Sequence, residues 1–269
     1  MNPDTIAFIG GGNMAGALIG GLIKSGRRAA DILVVEPVEA QRAQLAARFG
    51  VQAQASADAR LAAAGLVVWA VKPQLFAEAA APCRAHVGQA LQLSVMAGIR
   101  SDTIAAATGS ARVVRAMPNT PALIGQGIAG LFARDAVDAA GRAVVQALLA
   151  PTGRTLWVDR EEDLDAVTAL SGSGPAYVFY LLESMMAAAA EMGLSPEQGR
   201  ELAQATVAGA AALAGQSAEH PSVLRQQVTS KGGTTHAALS AMEAAGVGPA
   251  IVRAIRAAQH RARELGDEF

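Results

Sequence analysis

Cysteine occurs once in this sequence, at Cys83, so no intrachain disulfide is available and the stapled framework of a small secreted domain is excluded. The four histidines, His86, His220, His236 and His260, are scattered without metal-ligand spacing, and no metal site is expected. Neither sign of charge forms a block. With 22 basic against 23 acidic residues the net charge is −1, so neither nucleic acid nor an anionic membrane surface is an expected partner. No apolar run reaches the roughly 20 uninterrupted residues of a membrane span. The most apolar stretch, residues 176–192, is broken by Glu183 and closed by Glu191. No basic leader precedes the first apolar run, and together with the lone cysteine this points to a cytoplasmic protein. Repeats, low-complexity tails and flexible linkers are also missing.

What is present is length and pattern. The 269 residues favour two domains over one. Up to about residue 158, short β-branched runs alternate with Ala-rich helical segments, the signature of a parallel sheet covered by helices. Candidate strands are residues 5–9, 32–35, 66–71, 91–96, 112–117, 128–132 and 155–158. Several, such as Leu66 to Val71, are apolar at successive positions, as strands buried on both faces should be. After Asp163 the strand-like runs stop and helices follow, with Ser195 and Pro196 reading as a helix N-cap and first helical position. The expected fold is therefore an α/β Rossmann-type N-terminal domain, residues 1–160, followed by an all-α C-terminal domain, residues 161–269. Helices of the second half are apolar all round, and so small a domain cannot bury them alone. A second copy of the chain can, which makes this half a dimerisation unit. Met185, Met186, Tyr177 and Tyr180 read as core or interface filling, and Cys83 as inert.

The first candidate strand runs into Gly10-Gly11-Gly12-Asn13-Met14-Ala15, a G-x-G-x-x-A pattern. Gly10 permits a tight turn, Gly12 lets the backbone approach a pyrophosphate, and Ala15 allows close contact between helix and strand. The N–H groups opening the helix at Asn13 and Met14 then face the phosphates. Glu36, ending the second strand, is placed to accept hydrogen bonds from the adenosine ribose, which favours NAD(H). Arg42 in the next helix can neutralise a 2′-phosphate if the loop turns it inward, so NADP(H) stays open as well. Ala70, Val71 and Lys72 end one strand and Ala97 follows another, at the edge where open α/β sheets bind ligands. Lysine is otherwise found only at Lys24 and Lys231.

Three further stretches are hard to explain as structure alone: Met117-Pro118-Asn119-Thr120-Pro121-Ala122, Ser171-Gly172-Ser173-Gly174-Pro175-Ala176-Tyr177, and Val228-Thr229-Ser230-Lys231-Gly232-Gly233-Thr234-Thr235. With the N-terminal fingerprint and Val71-Lys72-Pro73-Gln74, in this order, they resemble pyrroline-5-carboxylate reductase over essentially the whole chain. Many relatives carry proline where this sequence has Lys231, which leaves an extra charge beside the candidate site. Read from the residues alone, the last stretch is a loop opening a helix, and its unpaired N–H groups form a site for a small carboxylate. Ser230 adds a hydroxyl there, while Gly232 and Gly233 clear the approach. The resemblance implies that Ser230, Gly232, Gly233, Thr234 and Thr235 bind an imine carboxylate, with Ser230 and Thr235 in the catalytic set. The residue matching Thr235 is regarded in the family as a hydrogen-bond partner or proton donor to the ring nitrogen. It also implies NAD(P)H-dependent reduction of 1-pyrroline-5-carboxylate to L-proline, and homodimers assembled into rings such as a decamer. The glycine-rich turn at Ser171 is expected to pack near the reacting face.

Two other readings compete. A β-hydroxyacid dehydrogenase shares a Rossmann domain followed by a helical domain, but such enzymes use a helical lysine after the first domain, and here Lys231 sits in a loop. A non-catalytic dinucleotide sensor leaves the carboxylate site unexplained.

Overall fold

The computed structural model describes residues 5–268, which form two compact units. One runs to Ser173 and takes in the chain again from Ala258; the other is Gly174–Ala257. In the first, β1 (Ile6–Ile9), β2 (Ile32–Val35), β3 (Ala53–Gln54), β4 (Leu66–Trp69), β5 (Leu91–Ser94), β6 (Val113–Met117), β7 (Gly127–Ala133) and β8 (Gly153–Trp157) make one sheet. Its order is β3-β2-β1-β4-β5-β6-β7-β8. The connecting helices are α1 (Asn13–Lys24), α2 (Glu39–Phe49), α3 (Phe76–Ala80), α4 (Arg84–Val87), α5 (Ser101–Thr108) and α6 (Ala139–Leu149), with α7 (Asp163–Val167) after the last strand.

Burial on both faces of the sheet explains the unbroken apolar strands. Ile6 and Phe8 of β1 join one core with Leu18, Val68 and Leu93, while Ala7 and Ile9 join another with Val67, Trp69 and Phe76. Successive side chains thus serve opposite layers. All neighbouring strands are parallel except β6 and β7. That exception departs from the parallel pattern of the sequence, because the link through Pro118 and Thr120 is too short for a helical crossover. The sequence pattern also misses β3, whose two residues pair with Val34 and Val35 and carry no apolar alternation.

The compact units divide at Ser173, later than the boundary near residue 160 that the end of the strands implies. Residues after 160 stay with the sheet because Glu161 and Asp165 pair with Arg115 and Arg100 at 2.8 and 3.0 Å. Val167 also fills the space beside Gly130, where an added Cβ would meet it at 2.6 Å.

The second unit holds α8 (Gly174–Glu191), α9 (Pro196–Gln216), α10 (Pro221–Gln227), α11 (Thr234–Ala244) and the first part of α12 (Val247–Asp267). The helix start anticipated at Ser195 is there as a capping box. Ser195 Oγ accepts from the Gln198 N–H at 3.2 Å and Gln198 Oε1 accepts from the Ser195 N–H at 2.9 Å. Gly199 lets α9 approach α8, since a Cβ there would lie 2.9 Å from that of Ala189. Much apolar surface stays uncovered within the single chain: Phe179, Tyr180, Met192, Leu202 and Leu213 are all more than half exposed. No single helix among the described residues is long and apolar enough to cross a membrane.

Candidate active site

The carboxyl ends of β1, β4 and β5 lie side by side, with Ile9 opposite Trp69 and Trp69 opposite Ser94. That register brings Gly10, Gly12, Asn13, Met14, Ala70, Val71, Lys72 and Ala97 to one edge of the sheet. Gly10 has φ of +98°, and a Cβ there would sit 2.6 Å from the Ala70 carbonyl oxygen, so backbone strain and steric overlap both demand glycine. Its N–H donates to the Val35 carbonyl at 2.8 Å. Gly12 is different: it N-caps α1 and nothing lies within 4 Å of the position a Cβ would take. The space it leaves is open, as a diphosphate lying across a helix N-terminus requires. Ala15 is wholly buried, Met14 half-buried and Asn13 exposed. Lys72 is exposed at the start of the turn after β4.

Glu36 is neither a solvated strand-end charge nor a wholly free ribose acceptor. It is buried, and its Oε2 accepts from the Gly11 N–H at 2.8 Å while Oε1 accepts from the Val38 N–H at 2.9 Å. Arg42 is turned onto the same bend, its Nη1 donating to the carbonyls of Glu36 and Pro37 at 2.9 and 2.6 Å. Sequence reasoning places Glu36 at this edge but misses its tie to the glycine loop, which depends on a side-chain direction that no spacing encodes.

Two of the three stretches that resist a structural explanation in sequence receive one here. Asn119 Nδ2 donates to the Ser171 carbonyl at 3.2 Å, and Asn119 Oδ1 accepts from the Ile128 N–H at 3.0 Å. The segment around Ser171 is not a turn but a π-helical stretch, Thr168–Gly172, continuing from α7. Gly172 sits against Met117, where a Cβ would approach Cε to 2.7 Å. Behind this edge lies a buried polar cluster without any sequence signal. Arg115 of β6 pairs with Glu161, which also accepts from the N–H and Oγ of Ser101 at 2.6 and 2.5 Å. Burial pushes the Arg115 guanidinium below its ordinary pKa, opposed by Glu161. For Arg100 burial acts the same way, but the hydrogen bonds and charge of Asp165 together with the charges of Glu161 and Asp267 outweigh it and hold the group above its ordinary value.

The remaining candidates belong to the second unit. Gly232 has φ of +77° and Gly233 N-caps α11 with extended backbone. The Gly233 N–H donates to the Ser230 carbonyl at 3.0 Å, so Gly233 shapes the turn and is not an open donor to a ligand. No side chain caps the helix, and the first intrahelical bond runs from Ala237 to Gly233. The N–H groups of Thr234 and Thr235 therefore lack intrahelical partners. Ser230 Oγ would stand 2.5 Å from a Cβ on Gly233, which keeps position 233 glycine. Thr235 is half-buried, and Lys231 and His236 are exposed.

A doubly wound sheet whose open glycine loop leads straight into the N-terminus of α1, beside an acidic residue after the second strand, defines a dinucleotide-dependent oxidoreductase of the Rossmann type. Residues 5–98 match the model described as "NADP oxidoreductase coenzyme F420-dependent", and residues 161–265 match "Pyrroline-5-carboxylate reductase dimerisation". The chain is 43% identical over 273 residues to the pyrroline-5-carboxylate reductase of Pseudomonas aeruginosa, spanning 100% of this chain and 99% of that protein. Among solved structures, a pyrroline-5-carboxylate reductase from Coxiella burnetii superposes with a TM-score of 0.90 at 35% identity, covering 98% of this chain and 99% of that one. The Plasmodium falciparum pyrroline carboxylate reductase with NADP bound gives 0.88 at 25% identity, covering 99% of each. The chain belongs to the pyrroline-5-carboxylate reductase family. Its second half carries that family's dimerisation domain, which accounts for the apolar helix faces left bare in one copy.

Proposed function

We propose that this protein reduces the C=N bond of 1-pyrroline-5-carboxylate to give L-proline, the last step of proline biosynthesis, with NAD(P)H as reductant. The observation that carries this reading is the uncapped N-terminus of α11. There the free N–H groups of Thr234 and Thr235, the Ser230 hydroxyl and the left-handed Gly232 offer a small carboxylate a place without side-chain obstruction. The Gly10–Gly12 loop, Glu36, Ala70, Val71, Lys72 and Ala97 fit a dinucleotide at the sheet edge.

A reduced nicotinamide dinucleotide, held by the Gly10–Gly12 loop, Glu36 and the strand ends at Ala70, Val71, Lys72 and Ala97, would supply the hydride that the imine carbon needs, the C=N π pair passing to nitrogen. If the ring enters protonated, the product is the neutral secondary amine and no strong base is required. The chain's own work is then orientation. The helix N-terminus fixes the carboxylate, and the Thr235 hydroxyl hydrogen-bonds the ring nitrogen. Its hydroxyl is too weak an acid to protonate alone, so it orients that nitrogen or relays a proton from water. Holding the reacting atoms in line is worth about 7 kcal/mol or more. The catalytic site on this reading needs the α11 loop and the dinucleotide edge to meet across a cleft in the assembled molecule. It further makes the protein a cytoplasmic homo-oligomer built from dimers, in a ring such as a decamer, with neither membrane nor nucleic acid as partner.

Incubating the purified protein with pyrroline-5-carboxylate and NADH or NADPH, and following loss of reduced-nicotinamide absorbance, tests the reaction. Turnover is expected. Oxidation of a hydroxyacid with the imine ignored would assign a dehydrogenase, and cofactor binding without any turnover a sensor. Thr235→Ala is expected to lower kcat about ten- to a hundredfold while cofactor affinity stays within twofold; unchanged turnover removes Thr235 from the mechanism.

A further inference from the structure

The bend between β2 and α2 says which dinucleotide this site accepts. Glu36 is held from both sides. Its backbone N–H donates to the Gln54 carbonyl at 2.9 Å, and its carboxylate binds the N–H groups of Gly11 and Val38. Its Cγ would lie 3.2 Å from a Cβ on Gly11, so glycine at 11 is what lets the loop lie against this side chain. Swinging it aside would orphan the buried Gly11 donor, which is costly. The carboxylate is therefore a permanent feature of the adenosine end of the glycine loop.

Two of its lone-pair directions are used by backbone, and the rest can accept hydrogen bonds only from donors. A vicinal ribose diol presents two such donors. A 2′-phosphate presents none when fully ionised and adds negative charge beside a carboxylate that is 8% exposed, where repulsion is weakly screened. Donors on this bend that could meet such a phosphate are in part already committed. The Val38 N–H is spent on Glu36, and Arg42 Nη1 is spent on the carbonyls of Glu36 and Pro37. Glu39 in the first turn of α2 further offsets the positive end of that helix.

We infer that Glu36, braced by Gly11 and Val38, makes this chain selective for NADH over NADPH, with Arg42 serving as a staple for the bend and not as a phosphate receptor. This rests on the reading of the glycine loop as a nicotinamide-dinucleotide site, and it narrows the reductant of the proposed reaction to one cofactor.

The test is nucleotide binding to the full-length protein without imine, by nicotinamide fluorescence titration, followed by kcat/KM with each cofactor. The dissociation constant for NADH should be lower than that for NADPH by about tenfold or more. Glu36→Gln removes the charge while keeping an oxygen for the Gly11 N–H, and should shrink that ratio by lowering the NADPH constant. A wild-type protein that binds NADPH as tightly as NADH overturns the inference, as does a Glu36→Gln protein whose ratio is unmoved. Selective binding of NADH with no turnover of the imine leaves the inference standing and sinks the reductase reading. Turnover with NADPH preferred does the reverse.

Discussion

At the scale of single residues the structure turns on positions where only one side chain fits. Gly10 is the clearest: Gly10→Ala puts a Cβ into the Ala70 carbonyl at positive φ. Such a change is expected to cost about 1 to 3 kcal/mol of stability and to weaken dinucleotide binding; equal urea midpoints for the two proteins would refute it. Cys83 gives a pH prediction. Burial pushes its thiol from an ordinary 9.0 up to about 11, so the folded chain keeps it neutral where the unfolded chain ionises. The stability linked to this group is intact below pH 9.0 and declines as pH rises toward about 11. The native protein at pH 8 should resist thiol-specific labelling and react only after denaturant is added. Gly10 and the inert Cys83 are readable from sequence because each depends on local context. Glu36 is half-readable: its place at a strand end is, its grip on Gly11 is not.

At the scale of elements, ion pairs and glycine contacts join parts of the chain that are far apart in sequence. Arg115 on β6 reaches Glu161 just before α7, and Glu161 in turn holds the first turn of α5 through Ser101. Arg115→Met removes the cation from a partly buried carboxylate that keeps its Ser101 donors, and should lower stability by about 1 to 3 kcal/mol. Because Glu161→Leu also strips Ser101 of its acceptor, a denaturant double-mutant cycle separates the Arg115 pair from the Ser101 contacts, and a coupling energy near zero would deny the pair a role. Nothing in the spacing of these residues announces the cluster, since it forms only when strand and helix are packed. The strand pattern itself was visible because residues on both faces are buried. The antiparallel β7, by contrast, follows from the length of a link, and β3 is too short and polar to leave a trace. The segment around Ser171 carries glycine and serine, ordinary turn residues, yet is π-helical and is held beside β6 by Asn119 and Met117, contacts that spacing in the sequence does not announce.

On the scale of the whole molecule, the helical unit cannot be complete as a single copy. Phe179 is 58% and Tyr180 74% exposed on α8, far more apolar surface than a stable monomer presents. Phe179→Glu should convert the assembled protein to a smaller species by size exclusion with light scattering; an unchanged mass would place the interface elsewhere. All-round apolar helices make the need for a partner legible in sequence, whereas the number of copies in the assembly is not written in any periodicity. The end of α12 has a consequence of its own. Leu265 and Gly266 close onto Gly98 and Arg100, with the Leu265 carbonyl oxygen 3.1 Å from where a Cβ on Gly98 would stand and Gly266 against the Arg100 guanidinium. Leu265 and Gly266 are synthesised long after the loop they close onto, so the loop after β5 must wait for the chain through α12 to emerge before it is fastened.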